Sequence, residues 1–135
     1  MSRRTARKHI FKIIFQMDFN KDEPIDAIID TYNEEIEPIE SSDMSFIKGE
    51  TQGIANNIDT ITATINNCAN GWTLGRMNSV DAAILKIAVY EILFCEDIPD
   101  KVAANEAVEL AKQYSADKAP GFINGILGKV IESKC

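Results

Sequence analysis

The stretch VDAAILKIAVYEILFC, residues 80–95, decides the fold. Within its last fourteen residues only Lys86 and Glu91 interrupt the apolar side chains, and it contains neither glycine nor proline. It is too short to span a bilayer. A helix that is apolar on nearly all sides is buried among other elements. We therefore predict a central helix that begins at Asn78 or Ser79, with other helices packed around it.

The segments on both sides of this stretch have helical periodicity, and none shows the sustained alternation of a strand. Sparse glycines and prolines separate these segments, as expected at helix ends. We predict the other helices over Arg3–Phe19, 24–36, 42–69, 101–114 and about 122–131. The chain is therefore predicted to be all-α, with six to seven helices.

Three glycines lie in or beside the last of these helices: Gly121, Gly125 and Gly128. Each lowers helix propensity by about 1 kcal/mol relative to alanine. Such a cost suggests a packing reason. We expect a neighbouring helix to cross the last helix at short range along these glycines.

The bulk composition matches one ordinary globular domain. The chain has 135 residues, of which 45% are hydrophobic and 26% charged; these values are typical of folded domains and not of disordered chains. The N-terminus is basic, but it lacks the uninterrupted apolar run and the small-residue cleavage pattern of a signal peptide. We expect a cytoplasmic protein.

Cysteine and histidine are too scarce and too scattered for a metal centre. Cys68, Cys95 and Cys135 lie at least 27 residues apart, and His9 is the only histidine. This distribution matches neither a zinc pattern nor a disulfide framework. We expect Cys68 and Cys95 in the core, Cys135 as an exposed thiol, and neither metal nor cofactor.

The sequence also lacks a constellation that would support catalysis. His9 has no serine or cysteine close in sequence, so we expect a polar surface or boundary residue. Adjacent carboxylates such as Glu34 and Glu35 do not face each other on a helix. The glycines of NGWTLG and APGFING have the wrong spacing for a phosphate-binding loop. We therefore expect no enzyme activity.

The first helix carries a concentration of positive charge that the rest of the chain lacks. Five of the fourteen basic residues fall in the first twelve positions, without an acid among them, although the net charge is −7. At 100° per residue, Arg4, Lys8 and Lys12 form one line, here called the basic strip, with Phe11 and Phe15 beside it. Cations for phosphate next to flat apolar rings for bases suit single-stranded nucleic acid.

Two other interpretations of the basic strip remain open from these residues alone. Amphipathic helices usually carry charge on their solvent face, and a basic helix with aromatic residues can also lie on a membrane surface. The isoleucines of the same helix weaken the membrane interpretation, because a small helical domain needs them for its core. Charge segregation favours nucleic acid: the acidic segment, residues 18–50, has eleven acids against Lys21 and Lys48.

The second half of the chain resembles the NusB family of bacterial transcription antitermination factors. The similarity is carried by DAAILK at 81–86, Tyr90-Glu91, Ile98-Pro99, KVA at 101–103, NEAVELAK at 105–112 and FING at 122–125. The arginine-rich start, residues 3–7, is also similar to the first helix of the family. The likeness is specific over 72–130, recognisable over 3–18 and weak between them.

The resemblance implies an all-helical fold of two packed subdomains, about 1–70 and 72–135, and a non-catalytic function. Members of the family pair with the ribosomal protein called NusE and bind single-stranded boxA RNA in nascent transcripts. They thereby help the transcription elongation complex to read through terminators, chiefly in ribosomal RNA operons. The free protein is expected to be a monomer or a homodimer without membrane association.

The resemblance also implies two RNA contacts and one protein contact. The first RNA contact comprises Arg3, Arg4 and Arg7, and Phe15, where the family commonly has tyrosine. Lys8 and Lys12 are expected to meet phosphate with them because of their place in the basic strip. The second is the start of the last helix, with Lys118 for phosphate, Phe122 beside a base, and Asn124. Phe122 suits a core position equally well. The NusE surface is expected around Leu74, Arg76 and Asp81.

Two rivals to this function follow from the same signature. A similar domain precedes the catalytic domain of certain ribosomal RNA cytosine methyltransferases, but this sequence shows no cofactor fold of that kind. The second rival is a helical protein-interaction module that has kept the fold without binding RNA.

Overall fold

The computed structural model describes residues 2–134, and Cys135, expected to be an exposed thiol, lies outside them. The described chain contains helices and no strand, so the all-α prediction is confirmed. Seven α-helices follow in order: α1 Arg3–Phe19, α2 Ile25–Thr31, α3 Ser41–Asn56, α4 Ile58–Cys68, α5 Ser79–Phe94, α6 Asp100–Tyr114 and α7 Ala119–Ser133. A π-helical turn, Tyr32–Ile36, extends α2, and a 3-10 turn, Leu74–Arg76, lies between α4 and α5.

The chain divides into two compact units at the junction of Asn56 and Asn57. The single long helix predicted over 42–69 is wrong, because α3 ends at Asn56 and α4 restarts at Ile58. Two successive asparagines account for the break, since their side chains compete for backbone hydrogen bonds and disfavour helix interiors. As α4 packs on α5 and α7, it belongs to the second unit, and the division lies earlier than the expected position near residue 70.

The first unit is built from α1, α2 and α3, which pack on one another. The apolar stripe of α1 is buried as predicted, with Ile10, Ile13 and Ile14 inaccessible to solvent. Ser2 caps α1, because its hydroxyl accepts a hydrogen bond from the Thr5 backbone N–H at 3.2 Å. The basic residues of α1 are therefore displayed from a helix with a fixed start and a buried inner face.

In the second unit α5 is the central helix, as predicted. It packs on α4, α6 and α7, and every residue from Asp81 to Val89 is buried. Asn78 caps its first turn by accepting a hydrogen bond from the Asp81 backbone N–H at 2.8 Å. None of the helices within residues 2–134 has both the length and the apolar character needed to cross a membrane.

The predicted close crossing at the glycines of α7 is wrong. A Cβ atom built at Gly121, Gly125 or Gly128 meets no neighbouring atom within 4 Å, and all three residues are exposed. The helical wheel explains the error, because these glycines lie opposite the buried residues Ile123, Ile126, Leu127 and Val130. The glycines line the solvent side of α7.

Candidate nucleic-acid interface

The basic residues of α1 differ strongly in exposure. Arg3 and Arg4 are exposed, and Lys8 and Lys12 are half-buried. Arg7, which we expected at the RNA surface, is only 5% exposed. At 100° per residue Arg7 lies next to Ile14 and so belongs to the inner margin of the helix. The solvent-facing cations of α1 are therefore Arg3, Arg4 and, in part, Lys8 and Lys12.

An aromatic ring from α3, which sequence reasoning missed, lies against this arginine cluster. The Arg3 guanidinium is 3.9 Å from the centroid of the Phe46 ring, and that of Arg7 is 5.9 Å away. Both distances are within the range of a cation–π interaction. The contact holds the Arg3 side chain in one place and leaves its edge N–H groups to bind an acceptor. Phe46 gave no sequence signal, because it lies in a polar stretch outside the family motifs.

Lys12 is engaged within the first unit. Its ammonium donates a hydrogen bond to Glu37 Oε1 at 2.7 Å, and this contact is the main reason that the pKa of Glu37 lies below its ordinary value. The Tyr32 hydroxyl donates to the same oxygen at 3.4 Å and is 2.7 Å from His9 Nδ1. His9 is buried, so the expected surface or boundary position is wrong. This network ties α1 to the π-helical turn.

Three phenylalanines run along α1 beside the basic strip. The Phe11 and Phe15 ring centroids are 6.2 Å apart, and those of Phe15 and Phe19 are 5.0 Å apart. Phe11 is buried and Phe15 half-buried, whereas Phe19 is 62% exposed. The rings thus become more exposed from Phe11 to Phe19. Phe15 is partly exposed, on the side of the helix that also carries Lys8 and Lys12.

The second unit contains an open pocket of about 410 Å³, here called the aromatic pocket. It brings together side chains from the connector, the start of α5, the turn between α6 and α7, and the start of α7. Its lining consists of Trp72, Arg76, Met77, Asn78, Asp81, Ala116, Lys118, Ala119 and Phe122. Lys118 and Phe122, predicted for RNA, therefore share one site with Arg76 and Asp81, predicted for NusE. Asn124 is exposed and Leu74 is buried, and neither lines the pocket.

Trp72 forms the open wall of the aromatic pocket and was not identified from the sequence. The residue is 49% exposed, and its ring meets Phe122 edge to face at 6.3 Å between centroids and has the Arg76 guanidinium 5.5 Å from its centre. Trp72 follows a turn at Asn70 and Gly71 after the end of α4. The φ angles of these two residues are 51° and 87°, and asparagine and glycine adopt positive φ angles most readily. The pocket thus offers two aromatic faces beside two cations.

Asp81 is a buried part of the pocket frame. Its Oδ1 accepts a hydrogen bond from the Ser115 hydroxyl at 2.6 Å, and its Oδ2 accepts one from the Asn78 amide at 3.1 Å. The Asn78 side chain thus contacts both the backbone N–H and the carboxylate of Asp81. Both carboxylate oxygens have partners within the unit, so Asp81 fixes the start of α5 to the end of α6.

A model of the NusB family matches residues 4–132. The chain belongs to the NusB family. Among its relatives, the transcription antitermination protein NusB of Clostridium novyi is 42% identical over 134 residues, which cover 98% of this chain and all of that protein. The transcription antitermination protein NusB of Acetivibrio thermocellus is 41% identical, with 99% of this chain and 91% of that protein covered.

Solved structures of NusB share the fold. NusB of T. maritima is similar with a TM-score of 0.88 and 32% identity, over 98% of this chain and 92% of that one. A structure of the antitermination factors NusB and NusE in complex with dsRNA gives a TM-score of 0.85 at 21% identity, over 97% and 96% of the two chains.

Within residues 2–134, no three His, Cys, Asp or Glu side chains are grouped as a metal site would require.

Proposed function

We propose that this chain is a non-catalytic transcription antitermination factor that binds single-stranded boxA-type RNA and pairs with the ribosomal protein NusE. In this proposal it acts in the cytoplasm on the transcription elongation complex, chiefly in ribosomal RNA operons. The observation that carries the proposal is the aromatic pocket, where Trp72 and Phe122 lie beside Arg76 and Lys118.

The chemistry of the aromatic pocket suits an unpaired nucleotide. An unstacked base presents a flat apolar face, which an exposed tryptophan edge-packed on a phenylalanine can cover. The phosphates on either side of the base need cations, and Arg76 and Lys118 stand at the rim. A base paired within a duplex could not enter, because its faces are already stacked. We therefore assign single-stranded RNA, and not duplex RNA, to this pocket.

The first unit supplies the phosphate contacts of the proposal. Arg3 and Arg4 are exposed at the start of α1, where the positive end of the helix dipole adds to their attraction for an anion. Lys8 and the accessible edge of Phe15 continue the same face. Phosphate contacts give affinity without sequence preference, so this surface is proposed to hold the RNA backbone.

Family membership supports the proposed role in transcription. The relatives named above are transcription antitermination proteins, and one structural neighbour is a complex of NusB and NusE with dsRNA. The acidic segment favours a basic partner such as a ribosomal protein, since complementary charge steers association. Of the residues expected to meet NusE, Arg76 is exposed, while Leu74 and Asp81 are buried and would act by shaping the connector.

Fluorescence anisotropy with a labelled boxA-type RNA tests this function. The chain is titrated alone and with NusE, and a scrambled RNA of equal length is the control. We expect binding of boxA-type RNA that tightens when NusE is added and exceeds binding of the scrambled RNA. Absence of RNA binding even with NusE would contradict the proposal and favour a protein-interaction module of the same fold.

A further inference from the structure

The last cation of the basic strip already has an anion bound to it. The Lys12 ammonium lies 2.7 Å from Glu37 Oε1, and the two side chains are 36% and 44% exposed. The pair therefore lies at the surface, where a nucleic-acid backbone can reach it. A phosphate that binds Lys12 therefore competes with the Glu37 carboxylate for the charge of the ammonium.

Glu37 is held in position by more than its charge. It follows the π-helical turn directly, and its backbone N–H donates to the Tyr32 carbonyl at 2.9 Å. The Tyr32 hydroxyl donates to its carboxylate, and His9 Nδ1 lies 3.9 Å from Oε2. His9 and Tyr32 are both buried, so the two side chains next to the Glu37 carboxylate are held in place by the core. The lowered pKa keeps this carboxylate ionised at neutral pH.

We propose that Glu37 lowers the affinity of the basic face of α1 for RNA by acting as an internal competitor of phosphate for Lys12. The inference rests on the proposed function, because it assumes that the basic face of α1 meets RNA. One acid of the acidic segment thereby has a role: Glu37 limits the binding of any RNA through its charged backbone.

The effect should be similar for specific and non-specific RNA. A phosphate contact contributes the same factor to affinity whatever the base sequence, so a cation withdrawn from the surface weakens both kinds of binding alike. Glu37 does not touch the contact of a base with the aromatic pocket. Withdrawing Lys12 therefore lowers the affinity for RNA without changing the preference for one base sequence.

The test compares Glu37→Gln with Glu34→Gln, which removes an exposed acid from the same turn. Affinity is measured for mixed-sequence single-stranded RNA, for boxA-type RNA and for heparin as a simple polyanion. We expect Glu37→Gln to bind the mixed-sequence RNA about fivefold more tightly at 0.1 M salt. One added single-strand phosphate contact raises the affinity by about this factor between 1 M and 0.1 M salt. The gain for boxA-type RNA should be similar. Glu34→Gln should change each affinity much less.

A double variant identifies Lys12 as the released cation. In a Lys12→Met background, Glu37→Gln should no longer raise the affinity for mixed-sequence RNA. Circular dichroism and thermal unfolding check that each variant folds. If Glu37→Gln does not fold, Glu37→Asp, which keeps the charge but shortens the side chain, should give a smaller gain of the same kind.

Three results would overturn the inference: no gain in Glu37→Gln, an equal gain in Glu34→Gln, or a gain that persists without Lys12. A gain confined to one of the two RNAs would also overturn it, because a phosphate contact carries no sequence information. Failure of the proposed function looks different, since the unmodified chain with NusE would not prefer boxA-type RNA. The heparin series still tests the Lys12 and Glu37 pair in that case.

Discussion

The two candidate RNA surfaces are built in opposite ways. On α1 the cations come from one continuous stretch of sequence, yet at least three of the five make contacts within their own unit: Arg3 and Arg7 with Phe46, and Lys12 with Glu37. The aromatic pocket gathers residues that are up to fifty positions apart. The comparison teaches that a conspicuous charge pattern overstates the free charge, whereas a site assembled from distant residues gives little warning in the sequence.

The difference also predicts a division of labour. The α1 surface offers cations and therefore affinity for any backbone, and the aromatic pocket offers base faces and therefore selection of unpaired nucleotides. Substitutions on the two surfaces should therefore change RNA affinity and the free energy of unfolding to different extents.

Trp72→Ala should have the largest effect on RNA binding. It removes the exposed wall of the aromatic pocket, and loss of one base–aromatic stack costs about 1–3 kcal/mol, or about 5- to 150-fold in affinity. Phe94→Ala is the control, because Phe94 is also an exposed aromatic of the second unit but does not line the pocket. Anisotropy titration with boxA-type RNA gives both values, and similar losses in both variants would show that the pocket is not the base site.

Asp81→Ala should destabilise the second unit. The change leaves the Ser115 hydroxyl and the Asn78 amide without their carboxylate acceptor, at a cost of about 1–3 kcal/mol in the free energy of unfolding. Urea unfolding measures the loss, and Asp97→Ala, an exposed acid in the turn after α5, is the control. A variant as stable as the control would mean that Asp81 does not hold α5 to the end of α6.

Arg4→Gln should weaken RNA binding more moderately. It removes one exposed cation at the start of α1, which corresponds to about fivefold at 0.1 M salt for one phosphate contact. The loss should be similar for boxA-type and scrambled RNA, because phosphate contacts carry no sequence information. Lys101→Gln, an exposed cation of α6, is the control and should have little effect; equal losses would point to net charge instead of a local contact.

The Lys12 and Glu37 pair should make the smallest contribution, which is to the free energy of unfolding, and this contribution should depend on pH. The pKa of Glu37 is lowered in the folded chain from its ordinary value of 4.5, so its stabilising effect is complete above that value and is lost as the pH falls through the folded pKa. Because both side chains are more than one-third exposed, solvent screening keeps the effect below about 1 kcal/mol. Urea unfolding of the unmodified chain and Glu37→Gln should differ at pH 7 and converge at acidic pH; a constant difference would contradict this linkage.

The helices were predictable because their apolar residues repeat at helical spacing. The bounds of α1 and the Asn78 start of α5 follow from that periodicity and from capping preferences. The apolar repeat continues across Asn57, so periodicity alone predicts one helix there. The asparagine side chains compete for backbone hydrogen bonds, and this competition ends α3. The glycines of α7 were misread because helix propensity alone does not say which side of a helix faces solvent.

The candidate site was predictable only in part. The FING motif identified Phe122, and the charge pattern identified the cations of α1. Phe46, Trp72 and Glu37 could not be found in this way, since each acquires its role from a residue more than twenty positions away. Contacts of that kind depend on tertiary packing, which neither composition nor spacing contains.

The central claim is that α1 binds phosphate and the aromatic pocket binds a base. The salt dependence of boxA-type RNA affinity tests it most directly, measured for the unmodified chain, Trp72→Ala and Arg4→Gln. Plotted as log affinity against log salt, Trp72→Ala should keep the slope of the unmodified chain at a lower affinity, and Arg4→Gln should be shallower by about 0.7. Equal slopes for all three, or a shallower slope for Trp72→Ala, would contradict this division.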